Sequence, residues 1–409
     1  MNLCLFEDRR VEDCSPITLT RPVFDMRCGI SPLREKIEHR LSGEEIIYHV
    51  REYLKDVVRE AYPDALVNQL PAEDTLFING RVLFNEFYEI MEHENEPVLY
   101  EQDDQIFAAF VPARLISKVT VTGEEKLLSF DNISFAETHS VRWKAFRYPW
   151  EFVHSNAAEI EADIHRKNLQ KSVPTSDYPQ AHFVNDAQIY IGTGVTIHPG
   201  VVLDATSGPI VLDEEVTIGN NASITGPCYI GKHSKISAVS NITGDVSIGP
   251  VCKIGGEVTE SIIQGYSNKK HGGFLGGSFL GEWVNLGADT NNSDLKNNYS
   301  TVSVPVNGDL VDTGLQFFGC IIGDHSKTAI GTTINTGSSI GLGSNLFGTG
   351  FPPKFIPCFS WGGADSLVEH QFSKMVETAE MVMGRREVEM TAAYRTMLDV
   401  VFQRTAGHR

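Results

Sequence analysis

The chain has 409 residues and a formal net charge of -19, with 41% hydrophobic and 21% charged residues. That length accommodates two domains with separate cores. The acidity argues against nucleic acid and against anionic membrane surfaces as partners, because both are met by basic surfaces. An anionic ligand therefore requires a local basic pocket.

The start, MNLCLFEDRRVEDC, lacks the basic residues and apolar run of a signal peptide. No apolar run approaches the ~18 residues of a membrane span. We expect a cytoplasmic protein. Residues 1–150 mix strand-like runs (TLFING, PVLYEQ, QIFAAFVPA) with helical ones (SPLREKIEHRL, EEIIYHVREYLKDVVREA). This alternation predicts an α/β layer domain, and the segment contains neither a G-x-G-x-x-G nor a G-K-[ST] phosphate loop. Residues 151–180, around FVHSNAAEIEADIHRKN, read as a helical linker. The tail from 364 to 409 has apolar residues at helical spacing and is expected to pack as a helix, its methionines serving as packing residues.

Between them, residues 181–363 carry a repeat. Isoleucine stands at 218, 224, 230, 236, 242, 248 and 254, always six apart. Two positions before each lies a small or β-branched residue: Val216, Ala222, Cys228, Ser234, Ser240, Val246 and Cys252. A period of six matches neither a helix near 3.6 nor an alternating strand. It matches a solenoid of very short strands, three to a coil, each burying one bulky and one small residue. Cys228, Cys252 and Cys320 fall in the small inward slot, so they read as core residues. The seven cysteines form no C-x-x-C pair and suggest neither a zinc site nor a disulfide framework.

The register breaks after Leu203, after Ile254 and after Leu286, and we read these breaks as insertions looping outward on one face. Phe274, Leu280 and Leu286 are expected to restore the inward series. His271 lies at the end of the second insertion, in NKKHGGFLGGSFLGEWVNLGADT.

The six-residue pattern is similar to that of the left-handed β-helix acyltransferase superfamily, and the handedness is implied by that resemblance. The run HGGFLGGSFLGEWVNLGADT resembles the acetyltransferase domain of the bifunctional bacterial enzyme that makes UDP-N-acetylglucosamine. The family carries H-L-x-Y-L-G-D-x-x-I-G-x-x-V-N-I-G-A-G-T there. The resemblance implies His271 as the base that takes the amine proton, with Asn285 and Phe274 contacting the sugar. Phe274 lacks the hydroxyl of the family tyrosine. The family's phosphate-holding lysine has no counterpart in EVTES, which offers Thr259 or Glu260, so Lys269 and Lys270 are expected to supply that charge. Asn298 and Tyr299 would face acetyl-CoA.

Nearer the start, SPITLTRPVFDMRCGISPLREKI resembles the opening of a sugar nucleotidyltransferase, although Glu7-Asp8-Arg9-Arg10 stands where the family has a glycine-rich loop. Asn79-Gly80-Arg81 likewise lacks the family's metal-binding carboxylate. Arg9, Arg10, Arg21 and Arg27, with Asn79, are the expected nucleotide contacts, arginine forks being suited to phosphate. The whole pattern resembles a divergent bacterial branch of the bifunctional enzyme: a nucleotidyltransferase-like α/β domain, a left-handed parallel β-helix and a C-terminal helix. The resemblance implies sugar-nucleotide biosynthesis, with acetyl-CoA-dependent N-acetylation of an amino-sugar 1-phosphate and nucleotidyl transfer to a sugar 1-phosphate, Mg²⁺ accompanying the nucleoside triphosphate. It also implies a homotrimer acting on small-molecule sugar phosphates and nucleotides. A monofunctional acyltransferase with a non-catalytic N-terminal domain, and a regulatory or scaffold protein, remain as alternatives.

Overall fold

A computed structural model describes residues 1–409 except 42, 85–89 and 91–94, and omits the side chain of 408. Its N-terminal half is built on seven strands: β1 (Asn2–Phe6), β2 (Ile46–His49), β3 (Leu66–Val67), β4 (Thr75–Asn79), β5 (Val98–Gln102), β6 (Gln105–Val111) and β7 (Glu137–Ser140). They form one mixed sheet in the order β7-β5-β6-β4-β1-β2-β3. Side chains alternate across β1, so Leu3 and Leu5 enter one core while Cys4 and Phe6 enter another. Both faces are therefore buried, as the central strands of α/β sheets require. Helices α1 (Leu33–Arg40) and α2 (Lys55–Ala61) contribute Ile37 and Val58 to the first core.

The run 44–61, expected to be helical throughout, divides into β2 and α2. Ile46–His49 pairs in parallel register with Leu3–Phe6, and this sheet contact overrides the local helical pattern. The helix expected in the linker runs from Pro149 to Arg166 (α3) and is not a free spacer. Its buried Asp163 accepts from the Lys36 ammonium at 2.7 Å, and its Asn156 Nδ2 donates to the Asp245 carbonyl at 2.8 Å. It thus ties the sheet domain to the repeat domain.

The repeats form the expected left-handed parallel β-helix. One inward ladder runs through Leu203, Ile224, Ile242, Val258 and Leu275. A second face has nine strands, from Ile189–Ile191 to Phe355–Ile356. On the third face Ile197, Ile218, Ile236, Ile254 and Lys269 are in register. The isoleucines at 218, 224, 230, 242, 248 and 254 are wholly buried. Each such burial contributes about 1.5–3 kcal/mol. Corners recur in the left-handed backbone region even at β-branched Val239 (φ 61) and Val251 (φ 59), conformations that only a rigid coil on both sides enforces.

The reading of the second register break needs correction. The inward residues after Ile254 are Val258, Ile263, Lys269, Leu275, Leu280 and Leu286, so three corners are shortened and no loop is inserted. Leu275, not Phe274, points into the core, and Phe274 pairs with Glu257 on the outside. His271 therefore sits on a tight corner. Gly273 makes that corner: its φ is +104°, and a Cβ there would lie 2.2 Å from the Thr290 carbonyl oxygen.

The third break is a true insertion. It carries a hairpin, Ser303–Val306 with Asp309–Asp312, whose Val304 and Val306 pack with Val11 and Ile17 of the N-terminal half. The tail forms two helices, α4 (Phe372–Gly384) and α5 (Ala392–Arg404), where one was expected. Met375, Met383, Met397 and Leu398 enter the same core as Leu54 and Val58 of the sheet domain and Trp283 and Phe359 of the β-helix. No helix among the described residues is long and apolar enough to cross a membrane.

Candidate acyl-transfer cleft

The residue just before each inward residue of the third face points outward. Lys253, Asn268, Asn285 and Lys327 consequently stack on successive coils, roughly 4.8 Å apart. Beside this ladder lies a cleft of about 590 Å³ lined by Lys253, Lys270, His271, Asn285, Lys327 and, from the end of α4, Arg385 and Arg386. His271 and Lys270 are exposed at the rim, and Asn285 is half-buried within it.

Hydrogen bonds set the polarity of the floor. Arg386 Nη2 donates to Asn268 Oδ1 at 2.9 Å, and Asn268 Nδ2 donates to Asn285 Oδ1 at 3.2 Å. The relay fixes Asn285 Oδ1 as the acceptor on the Asn268 side and leaves its Nδ2 as a donor beside the cleft. One wall is an aromatic stack, with Tyr266 and Trp283 at 4.4 Å between ring centroids and Trp283 over His325 at 6.1 Å. His325 is buried and bonded to Tyr394 Oη of α5 at 2.8 Å, and burial pushes its imidazole down to about 3. It is a neutral packing group.

Lys269 does not face the cleft. It occupies the inward position that isoleucine holds in the coils before it, and its Nζ donates to the carbonyls of Gly255 (2.9 Å), His271 (3.3 Å) and Gly273 (2.5 Å). The expected sugar-phosphate contact is thus a brace beneath the His271 corner, and desolvation pulls its ammonium down to about 8. Lys270 is the lysine of the pair that reaches the cleft. Phe274 lies on another face, its backbone N–H donating to Asn291 Oδ1, and Thr259 Oγ1 is bonded to the Thr243 carbonyl. Asn298 and Tyr299 stand on the exposed insertion, Tyr299 at 67% exposure, and neither lines the cleft.

In open α/β sheets ligands bind beyond the carboxyl ends of the strands. Here those ends carry Glu7, Asp8, Arg51, Asn79 and Arg81. Glu7 accepts from Arg51 Nε at 3.0 Å and from the Val23 N–H at 2.9 Å. Asp8 accepts from Arg81 Nε and from Asn79 Nδ2, each at 2.8 Å. Asn79 is therefore a buried link in an ion-pair network. Arg21 is also corrected: it is buried, with Nη2 2.6 Å from Asp324 Oδ2 and 3.2 Å from Glu282 Oε2, so it clamps the two domains together. Arg27 Nη1 donates to the Ile30 carbonyl, and its guanidinium lies 5.5 Å from the Tyr229 ring centroid. Among the described residues Arg9 and Arg10 make no ion pair and stay available to an anion. Glu7 and Asp8 at these strand ends are each neutralised by arginine, and the described residues hold no cluster of three metal-ligating side chains, so the residues present do not fit a bound Mg²⁺.

Sequence reading missed Lys253, Asn268, Lys327, Arg385 and Arg386. The first three carried a usable signal, since each precedes an inward position of the six-residue series. The arginines, about 60 to 130 residues downstream, carried none.

The fold and cleft define a sugar nucleotidyl transferase-like domain joined to a hexapeptide-repeat β-helix; residues 3–171 match the family model described as sugar nucleotidyl transferase. The chain is also similar to the proteins called Bifunctional protein GlmU. It is 26% identical over 228 residues to the one from Synechococcus elongatus, covering 54% of this chain and 48% of that protein. To the one from Geobacillus sp. (strain WCH70) it is 30% identical over 204 residues, covering 45% and 40%. The chain thus spans less than half the length of these curated relatives. Among solved structures, that of the polySia specific acetyltransferase NeuO aligns at 13% identity over 50% of this chain and 99% of that one, with a TM-score of 0.28.

Proposed function

We propose that this chain is a sugar-nucleotide biosynthesis enzyme that transfers the acetyl group of acetyl-CoA to the amine of an amino-sugar 1-phosphate in the β-helix cleft. The observation that carries the reading is that His271 and Asn285, on successive coils, line one cleft that also holds unpaired cations. In the reaction the amine nitrogen bonds to the thioester carbonyl carbon, the carbon–sulfur bond breaks, and coenzyme A leaves through sulfur. His271, exposed at the cleft rim, accepts the proton released by the amine. Asn285 Nδ2 donates to a sugar oxygen and orients the acceptor. The test is acetyl-CoA consumption with glucosamine 1-phosphate. We expect His271→Gln to lower kcat by roughly 10²–10⁴-fold with the melting temperature unchanged. A wild-type protein inactive on several amino-sugar phosphates removes the reading.

For the N-terminal half, the match over residues 3–171 supports nucleotidyl transfer to a sugar 1-phosphate with release of pyrophosphate. A second reading is favoured by the Glu7–Arg51 and Asp8–Arg81 pairs at the strand ends. In it the domain has lost catalysis and serves as a scaffold for the β-helix. Pyrophosphate release from UTP or dTTP with a sugar 1-phosphate decides between them, and no release with any pair selects the scaffold.

A further inference from the structure

Four of the cations at the cleft crowd together without a counter-ion. Lys253, Lys270, Arg385 and Arg386 form no ion pair among the described residues, in a chain where 53 acidic residues outnumber 34 basic ones. Carboxylates were abundant, yet none was placed here. The like charges are felt locally: the field of Arg386, with desolvation and smaller contributions from Lys235, Lys270 and Arg385, holds the Lys253 ammonium below its ordinary range. Such an arrangement is costly unless an anion shares it. Arg386 Nε is moreover buried without a partner. Its Nη2 is fixed on Asn268, so the guanidinium cannot swing out to solvent without breaking the relay to Asn285.

We propose that the C-terminal helical hairpin completes the cleft as an anion clamp, in which Arg385 and Arg386 join Lys253 and Lys270 to hold a phosphate monoester of the bound ligand. This rests on the acyl-transfer reading of the cleft and adds the group that the EVTES segment lacks. Arginine supplies the planar fork for phosphate oxygens, while the two lysines add point charge. Because the arginines come from the tail, the β-helix by itself would form an incomplete site. The phosphate belongs either to the sugar acceptor or to the 3′ position of coenzyme A, and the two sources are separable.

The experiment is titration calorimetry on the full chain with glucosamine 1-phosphate, glucosamine, coenzyme A and 3′-dephospho-coenzyme A. Wild type is compared with Arg385→Ala/Arg386→Ala and with Arg385→Lys/Arg386→Lys. We expect the alanine pair to weaken one phosphorylated probe by roughly 30-fold or more and its unphosphorylated counterpart far less, by the loss of the relay to Asn285 alone. The lysine pair should recover part of that loss, and the probe affected identifies the source. Arg385 is exposed, so Arg385→Ala alone provides a variant whose fold is not at risk. Phosphate-dependent binding without acetyl transfer would uphold the clamp and remove the acyl-transfer reading. Equal affinity for phosphorylated and unphosphorylated probes in wild type, or no change in the alanine pair, overturns the clamp. So does dissociation of an oligomer by the alanine pair with probe binding intact, because the cations would then pair with a second copy.

Discussion

Lys269 and Lys270 are adjacent in sequence and separate in role because strand residues alternate inward and outward. The side chain of Lys269 fills an isoleucine slot yet carries its charge back to three carbonyls at the corner of the coil. Two opposing effects meet there: burying an ammonium is unfavourable, and three charge-assisted bonds offset it. Replacing it by methionine removes both, so Lys269→Met should change stability by only about 1 kcal/mol. Acetyl transfer should nevertheless fall by roughly tenfold or more, because the corner that carries His271 loses its brace. Steady-state kinetics beside a denaturant titration checks this, and an unchanged kcat would deny the bracing role.

Among the elements, the C-terminal hairpin matters most, since it touches both domains and the cleft. α5 packs on α2, with Thr391 Oγ1 donating to Glu60 at 2.6 Å, while Tyr394 reaches the His325 end of the aromatic stack. The segment that ends at Pro22 does similar work from the other terminus through Arg21. Asp324 is wholly buried and shares that guanidinium with Glu282, and it accepts from Thr20 Oγ1 at 2.6 Å as well. Removing one member of a buried pair leaves the other charge uncompensated, which costs about 3–5 kcal/mol. Arg21→Met should lower stability by that amount, read from the denaturant midpoint. A loss below ~1 kcal/mol would mean the pair is hydrated and does not hold the domains together.

At the scale of the whole molecule, the buried titratable groups set how stability varies with pH. All seven thiols are buried, and desolvation raises every one of them above the ordinary 9.0, those of Cys28, Cys228, Cys252 and Cys320 to about 12 and Cys358 to about 11. Desolvation lowers Lys36, Lys269 and Lys327 from 10.5 to about 8. A thiol raised in the folded state contributes stability that is present below pH 9 and is lost as pH climbs above it, because the unfolded chain ionises first. A lowered lysine acts oppositely: the folded chain sheds its proton above pH 8 while the unfolded chain keeps it to 10.5, so stability rises across that window. With seven groups against three, each worth roughly 1.4 kcal/mol per pH unit at most, the thiols prevail above about pH 9. Under reducing conditions the urea midpoint should stay nearly level from pH 8 to 9 and decline toward pH 10. A midpoint still rising at pH 10 would contradict the account.

The amino-acid sequence alone determined the β-helix, because a strict six-residue series of isoleucines leaves a chain one way to bury them. It also singled out His271 and Asn285, whose neighbours preserve a recognisable run. Tertiary structure decided what local pattern leaves open: that Ile46–His49 pairs as a strand, that Leu275 displaces Phe274 from the core once the corners shorten, and that Arg21 and Asn79 are held by carboxylates. Above all it brought Arg385 and Arg386 onto a ladder of residues about 60 to 130 positions earlier. Periodicity reports which side of its own element a residue faces. It carries no information on which distant element will cover that side, because that follows from the packing of α4 and α5 across two domains.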